Sequence, residues 1–294
     1  MAHMLRNQGL FDDLASQHGR HSHADPWWKM HDDALADGRP WLRSALLSGS
    51  VPLGPLGQVP FSFVDMGSIS SVDLFGLDEL IIFSFYWVNR HRYRKVVDMG
   101  ANVGLHSLVL ALMDFDVEAY EPDPHHVMLL NSHLGRARVE KEVCVHEAAV
   151  APESGRLSFV RVLGNTTGSH VAGAKENAYG GLERLEVDAV AVMDTINGAD
   201  LIKMDVEGLE AALLTSLGSD DLRTVDILCE VGTQENAEMI WRHFGGTSTR
   251  LFTQKAGWKE AETVADLPTS YREGSLFISS RDEMPWSSPV VGRE

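Results

Sequence analysis

Cysteine is scarce, with two thiols, Cys144 and Cys229, in 294 residues. Each sits in an apolar, β-like run, so both read as small apolar side chains. Neither a disulfide framework nor a cysteine-based zinc site is implied. Basic charge is also short. Lys and Arg number 25 against 42 Asp and Glu, a formal charge of -17, which repels a polyanion unless the basic residues gather on one face. The one strongly basic stretch, Arg90-His91-Arg92-Tyr93-Arg94-Lys95, precedes an apolar run and reads as a solvated helix end. No apolar run approaches the roughly 20 residues that span a bilayer. The opening Met1-Ala2-His3-Met4 reads as a cloning remnant and leads into polar sequence unlike a secretion signal. These absences point to a cytoplasmic globular protein with no nucleic-acid partner.

What is present falls into three parts. Residues 1–60 read as an N-terminal helical extension closed by the turn-rich Val51-Pro52-Leu53-Gly54-Pro55-Leu56-Gly57, which cannot continue a helix. Residues 61–283 form the main domain, and residues 284–294 a loosely ordered tail. Within the main domain, residues 61–64 and 69–74 flank a polar turn as a hairpin would, and residues 77–93 read as a buried aromatic-rich helix. From there β-branched runs beginning at Lys95, Val117, Glu142, Ala199 and Val225 alternate with helical stretches at 105–113, 125–134 and 207–217. Two late strands are expected at 250–253 and 275–279. Such alternation is the pattern of a mainly parallel sheet with helices on both faces.

The strongest local signal is Val96-Val97-Asp98-Met99-Gly100-Ala101-Asn102-Val103-Gly104-Leu105-His106, a buried strand running through a glycine loop into a helix. Glycines let the backbone turn sharply and lie close to a ligand. A dinucleotide fingerprint would place its second glycine where Asn102 stands, and the acid at the strand end is awkward beside a pyrophosphate. It suits a ligand carrying an amino group and a sulfonium charge. The next strand ends in Tyr120-Glu121-Pro122-Asp123, about 20 residues on, where an acid can hydrogen-bond a ribose diol. The alternative is that Asp98 and Glu121 only cap helices while the glycines make a tight turn. A third apolar strand gathers charge at its carboxyl end, Ile202-Lys203-Met204-Asp205-Val206-Glu207-Gly208-Leu209-Glu210. Lys203 and Asp205 share a strand face, so a buried ion pair is the sober account of the lysine.

Taken together, Val-Asp-Met-Gly-Ala-Asn-Val-Gly, Tyr-Glu-Pro-Asp, Ala148-Ala149-Val150 and Ile-Lys-Met-Asp-Val-Glu-Gly-x-Glu resemble the FkbM-type methyltransferase family over roughly residues 95–232. The resemblance implies a class I, Rossmann-like sheet of seven strands with S-adenosylmethionine as methyl donor and S-adenosylhomocysteine as product. In most members the acceptor is a hydroxyl of a sugar or natural product. Carried over by position, Asp98, Gly100, Asn102 and Gly104 hold the methionine part, Glu121 the ribose, and Glu147 and Ala148 lie near the adenine. His106 either lines this pocket or caps its helix.

The candidate catalytic residues are Asp205, His170 and Glu207. Asp205 ends the strand beside the donor, and His170 comes after a Gly-Asn-Thr-Thr-Gly-Ser run that reads as a mobile lid. Glu207 either presents a carboxylate at this edge or starts a helix. Asp205, Glu207 and Glu230 together would suit Mg²⁺, while His18, His21, His23 and His31 match no zinc spacing and read as a solvated loop, so no metal is assigned. Other readings are a noncatalytic donor-binding or assembly protein, an N- or carboxyl-methyltransferase, and an NAD-dependent oxidoreductase. The N-terminal extension reads as a homo-oligomer contact.

Overall fold

A computed structural model describes residues 1–174 and 181–286. The chain opens with α1 (Ala2–Arg6), α2 (Leu10–Ser16), α3 (Pro26–Asp37) and α4 (Arg39–Ser48), then a ribbon of β1 (Val51–Pro52) and β2 (Gln58–Val59). Asp25 starts α3 because its carboxylate accepts the Trp27 amide at 2.7 Å while Pro26 presets the first turn. Leu5, Phe11 and Leu46 belong to the same buried cluster as Ile81, Phe83 and Phe85 of α5 (Leu77–Asn89), so the opening helices share a core with the main domain.

Helix α5 ends at Asn89 rather than Tyr93. Tyr93 is needed elsewhere: its buried hydroxyl donates to the Asp226 carboxylate at 2.7 Å. Of the hairpin expected at 61–74 only the turn is built, with the Met66 amide donating to the Ile69 carbonyl at 3.1 Å and the Ser71 amide to the Val64 carbonyl at 2.9 Å. The Ser71 hydroxyl takes the Val64 amide and the Asp73 carboxylate the Ser70 amide, leaving only an isolated Asp65–Ser70 bridge. Side-chain acceptors here replace a strand ladder.

Strand and helix then alternate as β3 (Lys95–Met99), α6 (Leu105–Leu112), β4 (Asp116–Tyr120), α7 (Pro124–Ala137) and β5 (Val143–His146). A second sheet interrupts the series with β6 (Ala149–Ala151), β7 (Gly155–Val162), β8 (His170–Val171) and β9 (Leu182–Ala191), in the order β6-β9-β7-β8. The alternation resumes with α8 (Val192–Thr195), β10 (Leu201–Met204), α9 (Glu210–Thr215), β11 (Asp226–Glu230) and α10 (Gln234–Phe244), and closes with β12 (Arg250–Thr253), β13 (Lys259–Glu260) and β14 (Ser275–Ser279). The central sheet runs β13-β12-β14-β11-β10-β3-β4-β5, parallel from β11 to β5 and antiparallel at β14, β12 and β13. Its eighth strand, beyond the seven expected, is the two-residue β13.

Chain order reverses between β3 and β10, so a crevice opens at their carboxyl ends, the usual ligand position in such sheets. One buried cluster covers one face with α5 and α6. Another covers the opposite face with α9 and α10.

The N-terminal histidines do not form a solvated loop. His21 is fully buried, with Nε2 3.1 Å from the Leu14 carbonyl and Nδ1 accepting from Trp258 Nε1 at 3.0 Å. His18 stacks on Trp286, and His23 on Trp28. Trp286 itself is buried, so the tail is packed at least to that residue; residues 287–294 lie outside those described.

Burial lowers the His21 pKa to about 3. The unfolded chain binds a proton below its ordinary value of 6.5 while the folded chain does not. Stability is therefore kept above that pH and lost as pH falls toward 3, by about 1.4 kcal/mol per pH unit. Denaturant unfolding of the wild type and His21→Gln between pH 7 and pH 4 should show a slope shallower by about one proton in the variant.

Candidate functional site

At the carboxyl ends of β3, β4 and β10 lies a cavity of about 520 Å³, within the range of small-molecule sites, roughly 300–1,000 Å³. Its floor is the loop after β3. Both the Gly100 and Ala101 amides donate to the Tyr120 carbonyl, at 2.9 and 3.0 Å, which folds the loop back over β4. Gly100 has φ +79°, and a Cβ there would stand 1.8 Å from the Asp205 carbonyl oxygen. Only glycine lets the tips of β3 and β10 come this close.

Glu121, at the tip of β4, is buried and lines the cavity. One carboxylate oxygen accepts the Asn102 amide at 2.8 Å and the other the Asp123 amide at 2.9 Å. A carboxylate offers about four lone-pair sites, so acceptor capacity remains for a ligand hydroxyl. Asp123 in turn caps α7 through the His125 amide and pairs with Arg161 of β7. These bonds tie the small sheet to the β4 tip.

Beneath the loop sits Lys203, directly opposite Asp98 in the β3–β10 register. Its ammonium donates to the Gly100 carbonyl at 3.1 Å and lies 3.5 Å from both the Asp98 and the Asp205 carboxylates. Burial favours the neutral amine, but Asp98, Asp205, Glu79 and Glu230 outweigh it and hold the lysine pKa above its ordinary value. Asp98 is fully buried and also accepts the Ser107 hydroxyl at 2.6 Å. Burial, with Asp205, Glu207, Glu79 and Glu210 around it, pushes the Glu230 carboxyl well above the usual range. That favours its neutral acid.

Placement separates the sequence-derived residues. Gly100, Asn102, Glu121, Asp205, Glu207 and His170 line the cavity. Asp98, Gly104, His106, Glu147 and Ala148 are not among its described lining residues. Gly104, at φ +85°, faces Leu130, so its lack of a side chain serves the packing of α6 on α7. Glu147 is exposed, and its neighbours Ala149 and Val150 form the wall instead. His106 neither lines the cavity nor caps α6. Its Nδ1 is 3.0 Å from the Tyr86 hydroxyl and its Nε2 2.7 Å from the Glu79 carboxylate. Glu207, at φ +55°, sits in the loop before α9, which starts at Glu210.

The stretch before His170 is bonded down rather than loose. Ser68 donates to the Gly164 carbonyl at 2.7 Å, Thr166 to the Met66 carbonyl at 2.9 Å, and the Thr166 hydroxyl lies 3.0 Å from His126 Nε2. His170 is itself buried, with Nδ1 2.9 Å from the Gly168 carbonyl.

Two residues escaped the sequence reading. Glu79 lines the cavity from α5; burial alone would raise its pKa, but the adjoining His106 and Lys203 bring it below the ordinary value, so it stays a carboxylate. Glu210 is buried and accepts the Val206 and Gly208 amides at 3.1 and 3.0 Å, which shapes the loop carrying Asp205 and Glu207. The usable signal for Glu210 was its place at the end of the Ile-Lys-Met-Asp-Val-Glu-Gly-x-Glu segment. Nothing in the order of residues linked Glu79 to the glycine loop.

The cavity wall holds Asp73, Glu79, Glu121, Asp205, Glu207 and Glu230, and among the described residues no Lys or Arg lines it. Such a wall favours a cationic ligand and disfavours a pyrophosphate. Among the described residues, no helix is long and apolar enough to cross a membrane.

The model of the methyltransferase FkbM domain matches residues 98–255, just over half of the chain. No curated protein sequence gives a match. Among solved structures, a methyltransferase FkbM from Methylobacillus flagellatus KT is 15% identical, with 71% of this chain and 54% of that one covered at a TM-score of 0.38. A SAM-dependent methyltransferase from Agrobacterium tumefaciens is 11% identical, with 68% of this chain and 61% of that one covered at a TM-score of 0.35. This chain thus spans about half the length of the Methylobacillus structure that it matches.

Proposed function

Since this chain belongs to the FkbM methyltransferase family, we propose that it binds S-adenosylmethionine in the cavity at the β3–β10 crevice and methylates a hydroxyl of a sugar or natural-product small molecule. The observation that carries the donor assignment is the all-acidic charged lining beside a glycine loop whose Asn102 amide is already held by Glu121. Sulfonium and ammonium groups gain from that field, and a ribose diol can use the free acceptor capacity of Glu121.

The donor supplies an electrophilic methyl group; the protein has to bind, orient and take up a proton. Gly100 and Asn102 would hold the methionine part of the donor, and the Ala149–Val150 wall would receive its adenine. Asp205 is our first choice for the group that accepts the acceptor hydroxyl's proton, and His170 the second. Both line the cavity, whereas Glu230 is disfavoured as a base because its acid form is favoured. Glu79, kept ionised by His106 and Lys203, adds negative charge without needing to move a proton.

Calorimetry with S-adenosylmethionine, S-adenosylhomocysteine and NAD tests the donor assignment. The two sulfur ligands should bind and NAD should not; NAD binding at lower concentration than either would overturn it. Glu121→Ala should weaken donor binding by roughly 1.5–3 kcal/mol, the range for a hydrogen bond to a charged group. A thermal melt of the same variant separates this loss from the folding cost of freeing the Asn102 and Asp123 amides.

A further inference from the structure

Cys144 is exposed, which its apolar surroundings in the sequence do not suggest. It lies on β5, the last strand of the central sheet, directly opposite Glu118 of β4, with His146 two residues further along the same face. The His146 Nε2 atom is 2.5 Å from a Glu118 carboxylate oxygen. Among the described residues these are the only three metal-ligating side chains whose donor atoms all lie within 4.8 Å of one another. None of the three lines the cavity. Two adjacent strands of one ladder hold them, so their spacing does not depend on a loop.

We propose that Glu118, Cys144 and His146 form a binding site for a thiophilic divalent cation of the zinc class, separate from the methyl-donor cavity. The donor set is one sulfur, one imidazole nitrogen and one carboxylate oxygen. Zinc accepts all three in tetrahedral geometry, whereas Mg²⁺ and Ca²⁺ take oxygen ligands. Three protein ligands leave a fourth position for water. On binding, the Cys144 thiol releases its proton to solvent as the sulfur–metal bond forms. The ring of His146 stacks on Tyr120 at 4.4 Å, which already fixes its plane. Lys95, whose ammonium is 3.4 Å from the Glu118 carboxylate, is the resident counter-charge that the metal displaces.

Cobalt(II) titration of the reduced, chelator-treated full chain tests the site, because thiolate coordination gives a charge-transfer band in the near ultraviolet that histidines and carboxylates alone do not. The expected result is one equivalent of cobalt bound with that band, and its loss on adding one equivalent of zinc. Cys144→Ser should abolish the band, Cys229→Ser should keep it, since Cys229 is buried in the core, and His146→Ala should weaken binding about tenfold or more. Circular dichroism of each variant shows that the fold is kept. Absence of the band in the wild type overturns the proposal. So does a band that survives Cys144→Ser, or equal affinity in His146→Ala, which would mark an adventitious ion only.

Discussion

Lys203→Met should lower the unfolding free energy by roughly 3–5 kcal/mol, the cost of stripping the partner from a buried charge. The reason is Asp98. Its carboxylate is fully buried, one oxygen is satisfied by Ser107, and the other has no hydrogen-bond partner and relies on the Lys203 ammonium 3.5 Å away. Methionine fills the volume of the lysine stem but leaves that charge, with Asp205 nearby, uncompensated. Denaturant unfolding measures the loss. The double variant Asp98→Asn/Lys203→Met removes both members of the pair and should recover much of it, giving a coupling energy well above the error of independent sites. If the two single losses simply add, the ammonium is not what makes the buried carboxylate tolerable.

Gly100→Val should be comparably damaging, and its cause lies within the protein. A left-handed residue with a side chain costs roughly 1–2 kcal/mol, and forcing extra atoms into a packed region roughly 1–3 kcal/mol more. Here the obstruction is the Asp205 main-chain carbonyl, 1.8 Å from the added Cβ. Asp205 cannot step aside cheaply, because its amide donates to the Met99 carbonyl at 3.0 Å and extends the β3–β10 ladder. The variant should lose both stability and donor affinity, read by unfolding and calorimetry on the same sample. Gly104→Ala is the internal comparison: it too has positive φ, but its Cβ meets Leu130 Cγ, Cβ and Cα at 2.6, 3.0 and 3.1 Å, a milder overlap than the 1.8 Å at Gly100. A smaller loss at Gly104 than at Gly100→Ala would tie the effect to the backbone obstruction.

Strand and helix positions were legible because the parallel sheet is built from short, near-continuous apolar runs. Arg250–Thr253 and Ser275–Ser279 fall where the β-branched pattern put them, and β3, β4, β5, β10 and β11 begin within two residues of their expected starts. The small sheet was not legible. Its β7 and β9 bury only Phe159, Val160 and Val162 and, in β9, Val187 and Ala189, and carry many charges, such as Arg156, Glu183, Glu186 and Asp188, so hydrophobic periodicity had little to detect. The polar turn at 65–68 does reverse the chain, but the ladder stops there because the Ser71 hydroxyl occupies the Val64 amide that would have extended it.

The sequence by itself determined the frame: a mainly parallel α/β sheet, a glycine loop after the first of its strands, and acids at the next strand's tip and after Lys203. Those features are local, each set by residues within a few positions of one another. Only the tertiary structure decided what the residues face. It brought Glu79 from a helix before the sheet into the cavity and turned His106 toward Glu79 and Tyr86. It set Gly100 against Asp205 and laid Cys144 and His146 beside Glu118. Each such meeting joins segments far apart in the chain, and it depends on strand order and register, which residue spacing along one segment does not encode.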